Sequence, residues 1–303
     1  MKLLFLIKLY AFHLFYRCQR LWDLAFRRRS LASLQEDATS LLVSAYGDLP
    51  PELPYSEKLR QREFSLYSQN GEDGVVLFIF SQIGMTNKSL VEFGVETGQE
   101  CIAANPLVNF GWNGLLMDGS SKNMRKGRRW YRSKKLPNID DIQLKQCFVT
   151  TENINREIAD SGIHGEIDLL SVDIDGNDYW VWDAIDVINP RVVVAEYNAC
   201  FGASRSLTVD YDPAFSRFDH HPTGWYHGAS LAALTNLADT KGYSLVGCES
   251  QGCNAFFVRK DLIQGELQEL TPEEAFYPQP KRLRIAPQEK QFKVISHLPL
   301  VRV

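Results

Sequence analysis

The feature that most constrains this chain is a regular alternation of apolar runs with longer connections. Short β-type runs occur at 89–93 (SLVEF), 114–117 (GLLM), 145–149 (KQCFV), 167–174 (IDLLSVDI) and 191–197 (RVVVAEY), separated by 98–110, 121–131, 151–161 and 178–188, each long enough for a helix or a long connection. Parallel strands need crossovers of this length, and continuous apolar runs such as DLLSV suit strands buried on both faces. The pattern then changes. After a helix-like stretch at 229–241, GYSLVGC and NAFFVRK are separated only by residues 249–253, too few for a crossover helix, so these two strands should pair as an antiparallel hairpin. The expected fold class is α/β: a mostly parallel twisted sheet with helices on both faces and a C-terminal antiparallel hairpin.

A chain of 303 residues, 45% hydrophobic and 12% aromatic, can bury one large core. We divide it into a basic N-terminal segment (1–30), a helical linker region (31–63) broken at DLPPELP, a main domain (64–262) and a C-terminal tail (263–303) expected to be peripheral. The formal charge of -4 hides an asymmetry, because residues 1–30 carry seven basic side chains and one acid. The remaining body is acidic, which argues against a nucleic-acid partner, since neutralising phosphates needs a basic face. The apolar run at the N-terminus is interrupted by Lys8 and His13 and shorter than the ~18 residues that span a bilayer. It fits a basic amphipathic helix on an anionic membrane surface, or equally a helix packed on the body or on a partner subunit. Oligomeric state is not legible. The six cysteines are scattered and form no CxxC pair, which suits a reducing, cytoplasmic compartment; Cys248 and Cys253 lack the second pair that a zinc site needs.

Ligands of open parallel sheets bind beyond the carboxyl ends of the strands. The first strand ends in LVEFGVETG, where Glu92 leads into Gly94 and Gly98, residues that permit positive φ or close backbone approach. The second ends in LLMDGSS, placing Asp118 where the ribose diol of a nucleotide-like cofactor finds an acceptor. The fourth delivers SVDIDGNDYW, with Asp173 and Asp175 expected on the same side of the strand. Two acids leaving a buried strand together are costly unless they hold a metal, a cation or a proton. Asp178 reads instead as the cap of the following helix. The fifth strand ends at Glu196 and Asn198, and beyond it Asp219, His220, His221 and His227 gather in one aromatic segment, the expected substrate lid.

Taken together, YSQNGEDGVV, the EFGxxxG turn, GWNGLLMDGS, DLLSVDIDGNDYW, VVVAEYNACFG and GYSLVGC...GCNAFFVR resemble the FkbM-like methyltransferases, from about Tyr67 to Asp261 and in the family's order. The resemblance implies a class I methyltransferase fold, S-adenosylmethionine as donor, and a hydroxyl of a sugar, glycan or related small-molecule natural product as acceptor. By position it implies that Gln69, Glu92, Gly94, Gly98, Asp118, Ser120 and Asp173 hold the cofactor. Where the motif commonly has its middle glycine, this chain has Glu96, which either turns outward or weakens affinity. Asp175 and His227 are the acid-base candidates. Asp173, Asp175 and Glu196 are hard-ligand positions for magnesium, as in related sugar methyltransferases. The competing reading is a non-catalytic binding or scaffold protein on the same fold, peripheral to the membrane. An NAD-dependent oxidoreductase is disfavoured by the missing GxGxxG spacing and by the hairpin.

Overall fold

In the computed structural model, residues 53–303 are described. The expectations for residues 1–30, and for all of 31–63 before Leu53, lie outside them.

The helices are α1 (Tyr55–Gln61), α2 (Glu72–Ile83), α3 (Ala104–Asn109), α4 (Ser121–Ser133), α5 (Ile154–Ala159), α6 (Asp178–Ala184), α7 (Arg217–His220), α8 (Leu231–Thr240), α9 (Pro272–Ala275), α10 (Pro280–Leu283) and α11 (Gln288–Ile295). The strands are β1 (Ser89–Phe93), β2 (Asn113–Asp118), β3 (Ile142–Gln146), β4 (Gly165–Val172), β5 (Ile188–Glu196), β6 (Leu207–Val209), β7 (Tyr243–Cys248), β8 (Asn254–Arg259) and β9 (Leu300–Arg302). Seven strands form one sheet in the order β3-β2-β1-β4-β5-β8-β7, and the first five are parallel. Strand β8 inserts antiparallel between β5 and β7, closing the expected hairpin. This is the mostly parallel α/β sheet with a C-terminal antiparallel hairpin that the sequence pattern led us to expect.

Side-chain alternation splits the core between the two sheet faces. Val91, Phe93, Val193 and Ala195 pack with α5, α6 and α8 on one face, while Leu90, Val192 and Val194 pack with α2, α3 and α4 on the other. All five residues of β1 are therefore buried, polar Ser89 and Glu92 included. Among the described residues, no helix is long and apolar enough to cross a membrane.

Three local expectations shift. Strand β3 lies three residues earlier than expected, because Ile142 and Leu144 supply the buried positions of an edge strand; Phe148, read as part of it, is 57% exposed. The connection 98–110 is helical only over α3. Residues 263–303 are not peripheral: β9 pairs antiparallel with β6, and Ala286 and Ile295 share a small core with Phe201, Phe215 and Trp225 of the lid segment.

Candidate active site

The carboxyl ends of β1, β2, β4 and β5 open into one cleft of about 700 Å³. Its first wall is the turn after β1. Gly94 has φ 81°, and a Cβ there would lie 1.5 Å from the Asp173 carbonyl oxygen, so only glycine lets this turn pass the end of β4. The Gly94 amide donates to the Met117 carbonyl at 2.9 Å. Glu96 adopts φ 51°, the left-handed conformation glycine takes at little cost, and its side chain is exposed at the cleft edge. Gly98, at φ 66°, completes the turn.

Asp118 binds this turn to the second strand. One carboxylate oxygen accepts the Glu96 amide at 2.9 Å; the other accepts the Ser120 amide at 2.8 Å and the Asn123 side-chain amide at 3.3 Å. Ser120 in turn caps α4 by accepting from the Asn123 amide. Glu92 is buried beneath the turn, where its carboxylate accepts from the amides of Ile102 and Ala103 at 3.1 and 2.7 Å and from the Ser171 hydroxyl at 3.0 Å. Burial raises its pKa despite these bonds. Glu92 thus fixes the loop while also lining the cleft. Gln69 stands exposed on the opposite wall, on a turn whose Leu66, Tyr67 and Ser68 amides all donate to buried Asp73.

The acidic strand ends divide their work. Asp178 accepts the Ile174 and Gly176 amides at 2.7 and 2.9 Å, so it ties the preceding turn together. It reads in the sequence as the helix cap, but it is the first residue of α6, and the N-cap position is Asn177, without a side-chain cap bond. Asp175, in the left-handed region at φ 59°, is exposed and pairs with Arg217 of α7. Asp173 lines the cleft, its pKa raised by burial and then by the neighbouring carboxylates of Glu196 and Asp175. Burial likewise pushes Glu196 up, to about 8, with Asp175 adding to the effect and Arg217 opposing it.

His227 is fully buried. Its Nε2 accepts from the guanidiniums of Arg282 at 2.9 Å and Arg217 at 3.3 Å, so the proton of the neutral ring sits on Nδ1. That Nδ1 faces Glu196 Oε2 at 3.6 Å, and neither atom has a hydrogen-bond partner. Burial and the two arginines hold the imidazole pKa well below its usual value. His220 stacks on Phe215, 4.3 Å between ring centres, and faces Asp212; His221 meets Thr223; neither is drawn to the acidic cluster.

The three positions expected to hold magnesium do not form one set. Glu196 approaches Asp175 and His227 on one side, and Asp173 and Asp178 on the other. Asp178 spends both oxygens on backbone amides, Asp175 already faces a guanidinium, and His227 carries its proton on the nitrogen nearest Glu196. This donor set does not fit a divalent ion, and no step is derived through one.

Two arginines complete the cleft without having been singled out in the sequence. Arg217 lies in the lid segment, where the histidines drew attention instead. Arg282 comes from the C-terminal segment; it is buried and donates to Asn198 Oδ1 at 2.7 Å as well as to His227. The visible signal was PKRLR, a basic cluster in an acidic body. Phe148 was read as a strand residue, yet its ring lies beside Gly119 on the cleft wall.

No protein-family model matches the sequence, and no curated protein matches it. Solved structures similar to this chain include an O-methyltransferase from Bacillus cereus in complex with SAH, at 13% identity over 79% of this chain and 94% of that one, TM-score 0.40. The N-terminal domain of EvdMO1 with SAH bound is similar at 13% identity over 76% and 97%, TM-score 0.40. The CcbJ methyltransferase from Streptomyces caelestis is similar at 14% identity over 63% and 90%, TM-score 0.41. Similarity at this level says nothing about the residues of the cleft, whose chemistry rests on the geometry above.

Proposed function

We propose that this chain is an S-adenosylmethionine-dependent O-methyltransferase acting on a hydroxyl of a sugar, glycan or related complex acceptor. The observation that carries this reading is the junction of the Gly94–Gly98 turn with Asp118 at the mouth of a cleft that also holds Asp173 and Glu196. Gln69, Gly94, Gly98, Asp118, Ser120 and Asp173 hold the donor, and exposed Phe148 offers an apolar face to its base. Residues 1–30 keep the enzyme at the cytoplasmic face of an anionic membrane.

When bound, the donor supplies an electrophilic methyl group on a sulfonium. The chain has to orient the acceptor oxygen and remove its proton. Among the described residues lining the cleft, Glu196 is the carboxylate with a buried oxygen that lacks a partner, and a pKa near 8 suits a base working close to neutrality. We therefore assign Glu196 as proton acceptor and His227, behind it, as the residue that orients it. Asp175 acts with Arg217 to fasten the lid segment over the acceptor side.

Calorimetry with S-adenosylmethionine and S-adenosylhomocysteine tests the reading. The wild type should bind both, and Asp118→Ala should lose binding while its melting curve stays cooperative. No binding by the folded wild type would refute the donor site. Donor binding without transfer to any hydroxyl of an acceptor panel would favour the scaffold reading.

A further inference from the structure

Helix α4 carries a second feature that methyl transfer does not use. Residues 120–135 (SSKNMRKGRRWYRSKK) contain eight basic side chains and no acid. Outside this stretch and residues 1–30, the chain carries 18 basic and 36 acidic residues. A cationic element on so acidic a body is not a by-product of composition.

The helix sorts these residues by face. Met124, Gly127 and Tyr131 recur at spacings of three and four and are buried against the sheet. A Cβ at Gly127 would lie 2.5 Å from the Thr97 carbonyl oxygen and 2.6 Å from Leu144, so the helix is pressed tightly on the body. Lys122, Arg125, Lys126, Arg129 and Arg132 recur at the same spacing on the opposite side, and all five are exposed. Arg128 donates to the Leu144 carbonyl, and Lys134 lies over the Trp130 ring at 4.3 Å. No carboxylate among the described residues pairs with any of the five stripe residues. Among the described residues the result is an unneutralised cationic stripe of roughly 15 Å.

We infer that the outer face of α4 docks this protein on an anionic lipid bilayer. Five exposed cations along one amphipathic helix match the charge of a headgroup layer, and the acidic remainder of the body is repelled from it, which fixes the orientation. A bilayer fits better than a nucleic acid because the other basic element, residues 1–30, interleaves its charges with Leu, Phe, Tyr and Trp, side chains that settle at a lipid interface and not on a phosphate backbone. Since Ser120, the N-cap of α4, lines the cleft, docking by this face brings the mouth of the cleft beside the membrane surface. The inference stands whether or not the cleft transfers methyl groups.

The test uses the full chain with its seven N-terminal basic side chains neutralised in place (K2Q, K8Q, R17Q, R20Q, R27Q, R28Q, R29Q), so that α4 is read alone. This parent should co-sediment with vesicles containing phosphatidylglycerol, not with neutral phosphatidylcholine vesicles, and 0.5 M salt should release it. Adding K122Q, R125Q, K126Q, R129Q and R132Q should lower the partition coefficient at least about ten-fold, while R125K, R129K and R132K together should preserve it, because the surface counts charges. Circular dichroism confirms that each variant is folded. Equal binding by the parent and its α4 glutamine variant would overturn the inference. So would failure of the parent to bind anionic vesicles, or a loss in the α4 variant seen with an oligonucleotide and absent with vesicles.

Discussion

Replacing Glu196 by Gln is expected to make this protein more stable and less active at once. Burial raises the folded-state pKa of Glu196 from 4.5 to about 8. Between those values the folded protein holds the proton more tightly than the unfolded chain, so stability falls as pH rises through the window and levels off above about 8. Each unit is worth ~1.4 kcal/mol, and the side chain is only 13% exposed, so solvent screens little of it. At pH 7 the penalty is on the order of 3 kcal/mol, and glutamine, which cannot ionise, removes it. Denaturant unfolding of both proteins at pH 5, 7 and 8.5 measures the effect: the advantage of the variant should be small at pH 5 and grow with pH. Methyl transfer by the wild type should rise with pH through about 8, and the variant should lose about 100-fold or more, without that rising limb. A stability difference that ignores pH, or a rising limb that survives in the variant, would refute the assignment of Glu196 as the buried base.

Two further outcomes follow from the fold. Asp168 is completely buried on β4, where it pairs with Arg191 at 3.0 Å and accepts the amides of Thr86, Asn87 and Lys88; Asp168→Ala leaves a buried guanidinium unpaired and should cost about 3–5 kcal/mol in urea unfolding, with part of the loss recovered in Asp168→Ala/Arg191→Met. Gly94→Ala meets both the Asp173 carbonyl and an unfavourable φ, so thermal unfolding should show destabilisation of more than about 2 kcal/mol; a neutral result would mean the turn is free to move away from β4.

Much of this architecture is written locally. The run SLVEF is strand β1 to the residue because both of its faces are buried, and the five-residue link before NAFFVRK admits nothing except a hairpin. The turn Gly94–Gly98, Asp118 and the acids after β4 were legible for the same reason: they stand at strand ends, and strand ends in a parallel sheet share one edge. Edge strand β3 was misplaced because one of its faces is only partly covered, so its apolar signal is weak.

What neighbours along the chain do not encode is who meets whom across it. Glu92 read as a cofactor residue from its place at the end of β1; that it lines the cleft while its carboxylate accepts the amides of Ile102 and Ala103 is set by packing. His227 read as a free acid-base group, but two guanidiniums claim its Nε2, one of them from Arg282 in a segment whose composition suggested a tail. Composition and periodicity fixed the sheet, its order of burial and the edge where chemistry gathers, since each depends on residues a few positions apart. Tertiary structure alone decided the protonation of Glu196 and His227 and the pairing of Asp175 with Arg217, because a charge is governed by whatever the folded chain brings within a few ångströms of it.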